Sequence, residues 1–259
     1  MLRNLRELYQ YRALLWSLTQ RELKARYRGS ALGFLWTFLN PTLLMLVYSL
    51  VFSVYMRQNI PNYTFFMFVG LLPWISFTAS VSGGASAISD RRDLLTKVRF
   101  PAQVLPATVV LTNLINYLLS LPLMVALGYF FGVSISWHAA LFPLVLLVQL
   151  LFTLALSYLV SALNVAFRDL QHLVGNLLTL WFFLTPILYA PETIPAAVRD
   201  AAILGNPMAT IVTSYQAIFY HHQLPDFRAL GLVALVSGVL LWLATSVFER
   251  RREEFAELA

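Results

Sequence analysis

The sequence predicts an all-α integral membrane protein with six transmembrane helices, and three observations support that fold class. Hydrophobic residues make up 59% of the 259 residues, against about 45–50% in a soluble domain. Charged residues make up only 12%, about half of the usual share of about 25%. Uncharged stretches are long, and the one between Arg99 and Arg168 runs for 68 residues. Together with a mean hydropathy of +0.71, these features indicate a chain built for lipid.

This composition excludes several classes of protein. Too few charges are present to solvate a globular surface, which argues against a soluble enzyme, a disordered chain or an ordinary nucleic-acid-binding protein. The chain has no cysteine, so disulfides, thiolate metal sites and cysteine nucleophiles are excluded as well.

The six spans follow from the positions of the charged residues. A helix needs about 20 residues to cross the hydrocarbon core of a bilayer. The run of 68 residues is too long for one crossing, and it divides at the polar, glycine-containing segment 132–137. The predicted spans are, in chain order, 34–56, 63–87, 107–131, 138–165, 170–189 and 229–248.

Basic residues are distributed very unevenly between the two sides of the predicted bundle. Fifteen of the 18 lie on the side of the two termini, and only Arg57, Arg199 and Arg228 lie on the other side. By the positive-inside rule, both termini are predicted to be cytoplasmic. The net charge of +6 is therefore a topology signal, and no nucleic-acid partner is expected.

The N-terminal segment 1–30 is predicted to be an amphipathic helix on the cytoplasmic leaflet. At 100° per residue, five of its seven basic side chains fall within one 60° sector, and five apolar side chains fall on another side. A simple charged anchor for the first span is the alternative. The basic set is Arg3, Arg6, Arg21, Lys24 and Arg28, and the apolar set is Leu5, Leu8, Tyr11, Leu15 and Leu18.

Catalytic and ion-coupling groups are missing from the sequence. All acidic and basic residues lie outside the predicted spans, so no intramembrane relay of ionisable groups is available for proton or sodium coupling. Asp90 and Asp93 form the one close acidic pair near a membrane face, and the neighbouring arginines and lysine are expected to neutralise it, which leaves no metal site. The Gly-Lys-Ser/Thr motif of a P-loop is absent. A membrane enzyme acting on prenyl phosphates is therefore disfavoured, and any pumping must be energised by another chain.

Several motifs carry a resemblance to a known family. The sequences RELKARYRGS at 21–30 and LGFLW at 32–36, with Asn40-Pro41, resemble the start of ABC-2 type permeases that export polysaccharides. The stretch DLLTKVRFP at 93–101 is similar to the cytoplasmic loop of that family, and PILY at 186–189 with Asn206-Pro207 is similar to its later segments. The resemblance covers nearly the whole chain, and residues 1–259 are predicted to form a single transmembrane domain. It is greatest for permeases of O-antigen lipopolysaccharide. Capsule and teichoic-acid permeases, and ABC-2 permeases for a small amphiphilic drug or lipid, are the alternatives.

The resemblance implies partners, a cargo and a location. It implies a homodimer in the bacterial inner membrane that works with two copies of an ATPase subunit, which bind the ATP and Mg²⁺. This chain then needs no cofactor of its own. The implied cargo is a polysaccharide linked to undecaprenyl pyrophosphate.

The resemblance also assigns roles to residues. The loop 88–101 is similar to a coupling helix that docks on the ATPase, through Asp93, Leu94, Leu95 and Val98; a basic loop that merely sets topology is the alternative. Arginines at the cytoplasmic face are candidates for the lipid pyrophosphate, with anchoring to anionic lipid as the alternative: Arg26, Arg28, Arg91 and Arg92.

Spans 1 and 5 are expected to line the path of the glycan, because both combine aromatic side chains with uncharged hydrogen-bonding groups. Interhelical packing is the alternative role for such residues. The candidates are Trp36, Asn40, Tyr48, Asn176, Trp181, Phe182, Phe183 and Tyr189.

The apolar stretches of the segment 191–226 are too short to cross the membrane. Asn206-Pro207 divides it into two apolar stretches, about 196–204 and 208–220, which are predicted to form a re-entrant pair from the outer side. Two helices lying flat on the outer surface are the alternative. His221 and His222 are expected in a solvated external loop.

Overall fold

The computed structural model describes residues 7–91, 100–167 and 169–250, and it contains α-, 3₁₀- and π-helices but no β-strand within those ranges. The α-helices, in chain order, are α1 Arg12–Tyr27, α2 Trp36–Ser49, α3 Tyr63–Ser86, α4 Val104–Phe130, α5 Phe142–Ala166, α6 Leu170–Leu184, α7 Ala196–Leu204, α8 Pro207–Gln216 and α9 Phe227–Arg250.

Five of the predicted spans correspond to helices that are long and apolar enough to cross a membrane. A 3₁₀ turn at Gly33–Leu35 and a π-helical segment at Leu50–Tyr55 extend α2 to 23 residues. A 3₁₀ turn at Trp137–Leu141 likewise leads into α5. The five long helices are Gly33–Tyr55, Tyr63–Ser86, Val104–Phe130, Trp137–Ala166 and Phe227–Arg250.

The fifth predicted span is shorter than the sequence suggested. Helix α6 has 15 residues and ends at Leu184, whereas the prediction continued to residue 189. Thr185 is extended, with φ −101° and ψ 132°, because the residue before a proline avoids the helical region. Pro186 itself has no N–H to continue the helical hydrogen bonds. Residues 185–188 are nevertheless buried, so packing and not lipid surrounds them.

The predicted break within the long uncharged run is confirmed. Helix α4 ends at Phe130, and Gly132 adopts a left-handed conformation with φ +73°. Glycine adopts this conformation at little cost and commonly ends helices in this way. The chain then turns back, and the Val133 N–H donates to the carbonyl of Gly128 over 2.8 Å.

Helix α3 forms the centre of the bundle. It packs against α2, α4, α5, α6 and α8, while α9 packs along α5 on the far side. Its interior contacts are aromatic: the Phe77 ring stacks on Phe152 with centroids 5.7 Å apart, and it meets Trp181 edge-on at 5.5 Å. A glycine brings α3 close to α5, because a Cβ on Gly84 would lie only 2.9 Å from the Cβ of Ser157.

Helix α1 packs on the protein with the face that the sequence predicted for lipid. Leu8, Leu15 and Leu18 contact the hydrophobic cluster at one end of α4, α5 and α9. Tyr9, just before α1, and Trp16 of α1 are exposed instead. The leucine face is therefore occupied by protein, because the end of α4 offers it an apolar surface. We refer below to this end of the bundle as the α1 end.

Polar contacts strengthen the attachment of α1. Glu22 forms an ion pair with Arg91, which lies in the 3₁₀ turn Ser89–Arg91 after α3. Gln103 Nε2 donates to Glu7 Oε2 over 3.1 Å. The sequence interpretation had assigned Arg91 to the neighbouring acidic pair at Asp90, but Glu22 is 69 residues away in sequence and reaches Arg91 only through the fold.

Helix α7 has the bounds that the sequence suggested, whereas α8 ends at Gln216 and continues as a π-helical segment to His221. The surroundings of the two helices differ sharply. The side chains of α7 are largely exposed, and none is buried. Helix α8 is buried between α3, α5 and α9, and a surface position is therefore wrong for it. The Asn206 side chain caps α8 by accepting from the Ala209 N–H over 3.1 Å.

Candidate functional site: an aromatic groove and a polar cavity

An aromatic groove of 520 Å³ lies between α2, α3 and α6. The rings of Tyr48 and Phe182 stack across it with centroids 5.5 Å apart, and Trp74 lies 5.7 Å from Phe182. Further side chains on its walls are Leu44, Thr179 and Phe183. The groove thus joins one face of α2 to one face of α6.

The groove combines aromatic faces with a few hydroxyl groups. Thr78, Thr179 and Ser82 lie on its walls, and no charged residue does among those described. Such a surface offers many weak contacts and no strongly attractive one. That is the property a conducting path needs, because a cargo must bind and also leave.

A second cavity, of 370 Å³, is polar and lies towards the α1 end. It is enclosed by α1, α2, α3 and α4. The guanidinium nitrogen Nη2 of Arg26 donates to Asn113 Oδ1 over 3.2 Å, and the indole of Trp36 donates to Ser30 Oγ over 3.1 Å. Asn40, Ser76 and Tyr117 also line the cavity. Arg26 is its charged group.

The groove and the cavity are neighbours that α2 separates. Both are lined by Ile75 and Ala79 of α3, which lie beneath α2. Pro41, inside α2, borders the polar cavity and leaves one helical hydrogen bond unmade. Helix α2 is also the least buried of the five long helices.

The residues predicted to line the glycan path fall into three groups in the structure. Tyr48, Phe182 and Phe183 border the aromatic groove. Trp36 and Asn40 border the polar cavity instead. Asn176, Trp181 and Tyr189 border neither: Asn176 is exposed, Trp181 packs inside the core, and the Tyr189 hydroxyl donates to the Phe183 carbonyl over 3.2 Å. Their contact with a cargo stays a prediction.

The four predicted phosphate-binding arginines are also separated. Arg26 lines the polar cavity, Arg28 is exposed, and Arg91 is paired with Glu22. Arg92 lies outside the described residues. The predicted docking residues lie outside them as well, namely Asp93, Leu94, Leu95 and Val98.

Three polar residues in the bundle interior were missed by sequence reasoning. Asn113 holds Arg26, and Gln149 joins α5 to Tyr215 of α8 and to the carbonyl of Pro73 in α3. Each is an isolated amide or phenol in an apolar helix. An amide inside a predicted span is a usable signal, because burying it without a partner is costly.

The histidine pair lies at the end opposite to α1, where the π-helical segment Ala217–His221 ends. His221 is exposed as expected, but its ring also meets Phe66 and Tyr220, with centroids 6.3 and 4.8 Å away. Partial burial lowers the pKa of His221 below its ordinary value, an effect that the nearby Glu192 carboxylate opposes. His222 is left-handed, with φ 54°.

A bundle of long apolar helices with an interior groove defines a multi-pass membrane transport protein. The chain belongs to the ABC-2 type transporter family, whose members match residues 13–220.

Named relatives match over almost the full chain. It is 69% identical over 258 residues to the O-antigen export system permease protein RfbA of Myxococcus xanthus, covering 99% of both chains. It is 32% identical to the protein of the same name from Klebsiella pneumoniae, covering 95% of this chain and 94% of the relative. The polysialic acid transport protein KpsM of Escherichia coli is 23% identical, covering 92% and 93%.

Proposed function

We propose that this chain is the membrane permease of an ABC exporter that moves O-antigen polysaccharide, linked to undecaprenyl pyrophosphate, across the bacterial inner membrane. The identity of 69% with an O-antigen export permease over the whole chain supports the cargo class. The aromatic groove between α2 and α6 is the structural observation that carries the proposal. Its rings and hydroxyls suit a polymer that must slide past many weak contacts.

The permease works as a homodimer in which α2 and α6 of both copies line the path. An exposed row of leucines on α6 supports this arrangement: Leu173, Leu177, Leu180 and Leu184. Those side chains recur every three or four residues and form one continuous apolar face. That face contacts lipid or the second copy, while the groove face turns towards the cargo.

The energy comes from two ATPase subunits that bind ATP and Mg²⁺. They dock on the cytoplasmic loop 88–101 through Asp93, Leu94, Leu95 and Val98. With both termini in the cytoplasm, the α1 end faces the ATPases, and the basic residues concentrated there support that orientation. The pyrophosphate of the cargo meets Arg26, Arg28, Arg91 and Arg92 on the same side.

Six segments cross the membrane, and α7 with α8 forms a re-entrant pair from the outer side. The contacts of Asn206, between α7 and α8, support this arrangement. Its Oδ1 accepts from Trp181 Nε1 over 2.7 Å, and its Nδ2 donates to Thr185 Oγ1 over 3.2 Å, in and just beyond α6. At the far end of the pair, the Tyr220 hydroxyl donates to the carbonyl of Pro61. The tip of the pair is thus hydrogen-bonded to the end of α6 and to the residue after it, so protein satisfies polar groups of Asn206.

Export in cells tests the proposed function. Deleting the gene should leave lipid-linked O-antigen at the inner leaflet and remove it from the cell surface. The intact chain, supplied with its ATPase, should restore surface O-antigen. Normal surface O-antigen in the deletion strain, or restored export of a capsular polymer alone, would contradict the assignment.

A further inference from the structure

The polar cavity at the α1 end joins a cation to a buried amide. Arg26 lies in the last turn of α1 and is exposed, whereas Asn113 of α4 is only 4% exposed. They meet through the bond from Arg26 Nη2 to Asn113 Oδ1. A buried amide in an apolar helix is retained for helix packing or for function. Here it faces a cavity of a size typical of small-molecule sites, about 300–1,000 Å³.

We propose that this cavity binds the phosphate of a lipid headgroup, with Arg26 in contact with the phosphate and Asn113 as the residue that positions Arg26. The guanidinium presents five donors in one plane and binds phosphate oxygens in a bidentate manner. Asn113 fixes the orientation of that plane. The site itself stands on geometry, and only the identity of the lipid as the exported cargo rests on the proposed function.

Electrostatics distinguishes Arg26 from Arg91. Arg91 is paired with the Glu22 carboxylate, which cancels its charge. The partner of Arg26 in the described part of the chain is a neutral amide, so its positive charge is not cancelled there. A neutral acceptor orients a guanidinium and leaves its positive charge able to attract an anion. Because Arg26 lies beside the cavity, the anion has room to bind.

A purely structural role for the pair is the competing explanation. Helix α1 is already attached through its leucine face, through Glu22 and Arg91, and through Glu7 and Gln103. Asn113→Asp separates the two roles. The new carboxylate would hold Arg26 more strongly by charge, yet it would repel a phosphate. If the pair of Arg26 and Asn113 is purely structural, Asn113→Asp therefore preserves it. If the pair forms a phosphate site, Asn113→Asp destroys that site.

Binding of two lipids to the full-length chain in phosphatidylcholine nanodiscs provides the test. Undecaprenyl pyrophosphate and phosphatidylglycerol are titrated separately, and bound lipid is counted by native mass spectrometry. Asn113→Asp and Arg26→Gln should each weaken binding about ten- to a hundredfold, the range expected for a lost charge-assisted contact. Arg26 is exposed, so Arg26→Gln remains informative where Asn113→Asp yields little folded protein.

Two variants on the same helix serve as matched controls. Gln20→Glu adds the same charge as Asn113→Asp, and Arg21→Gln removes the same charge as Arg26→Gln. Both residues are exposed and lie away from the cavity. Binding of both lipids should stay within about twofold of the unmodified chain.

The outcomes separate the two proposals. Loss of undecaprenyl pyrophosphate alone supports a site for the cargo headgroup, and loss of both lipids supports a general lipid-phosphate site. The proposed site is overturned if Arg26→Gln and Asn113→Asp bind both lipids as tightly as the control variants do. O-antigen export by those same variants would then leave the proposed function intact. Conversely, the chain could bind undecaprenyl pyrophosphate while its deletion leaves O-antigen export unaffected. That result would contradict the proposed function and not the site.

Discussion

The hydroxyl of Tyr215 donates a hydrogen bond to Gln149 Oε1 over 2.7 Å, deep in the bundle. The amide nitrogen of Gln149 in turn donates to the carbonyl of Pro73 over 3.0 Å. One glutamine therefore ties α5 to both α8 and α3. All of these groups are buried, so water does not replace a lost partner.

We predict that Tyr215→Phe destabilises the folded protein by about 1 kcal/mol, because the Gln149 oxygen loses its donor in a buried site. The free energy of unfolding in mixed detergent measures the effect. Tyr129→Phe, at an exposed position of α4, is the control and should change stability by less than about 0.5 kcal/mol. Equal losses for the two variants would contradict the importance of the bond.

A second prediction concerns the close approach of α3 and α5. Gly84→Ala places a methyl group 2.9 Å from Ser157 Cβ, and the resulting overpacking should cost about 1–3 kcal/mol. The matched control is Gly238→Ala in α9, where no atom lies within 4 Å of the new Cβ. That change should be neutral or stabilising by up to about 1 kcal/mol, from helix propensity alone. Thermal unfolding of both variants distinguishes the two cases, and a neutral Gly84→Ala would refute the close contact.

The proposed path predicts a pattern of chemical accessibility on α6. Thr179 lies on the wall of the groove, whereas Leu180 belongs to the exposed leucine row. Because the chain has no cysteine, Thr179→Cys and Leu180→Cys each give a single reactive thiol. A water-soluble thiol reagent should label Thr179→Cys at least about tenfold faster during export, since only the thiolate reacts and it does not form in hydrocarbon. Equal labelling rates, or faster labelling of Leu180→Cys, would place the path elsewhere.

Substitutions in the loop 88–101 test whether the ATPase subunit docks there. Leu95→Asp should abolish co-purification of the ATPase, because an unpaired charge buried in that contact costs about 3–5 kcal/mol. Thr96→Asp introduces the same charge next to the predicted docking face of Leu94, Leu95 and Val98, and it should retain the partner. Both variants should reach the membrane at normal levels by immunoblot. Full co-purification with Leu95→Asp would exclude the docking role of that residue.

The sequence was sufficient for the elements that follow from charge and from local backbone chemistry. Charged residues bounded the long helices, Gly132 marked the turn after α4, and the prolines around Asn206 marked α7 and α8. Each of these signals acts within a few residues, and none depends on the tertiary fold.

The remaining features depend on contacts between distant segments. The leucine face of α1 looked like a lipid-facing surface because nothing local reveals that the end of α4 covers it. The pairing of Arg91 with Glu22 and of Arg26 with Asn113 likewise joins residues 69 and 87 positions apart. Sequence alone gives the polar residues of the cavity, and only the packing of α1 to α4 brings them together.

In the proposed six-span arrangement, the short length of α6 has a consequence for the bilayer itself. Its 15 residues extend about 22 Å, whereas the hydrocarbon core is about 30 Å thick. The buried residues 185–188 cover part of this mismatch of about 8 Å, and local thinning of the membrane or water at the ends of the helix would relieve the rest. A hydrophilic polymer moving beside α6 would then cross the thinnest part of the dielectric barrier. The protein would lower the cost of translocation partly by reshaping the lipid around it.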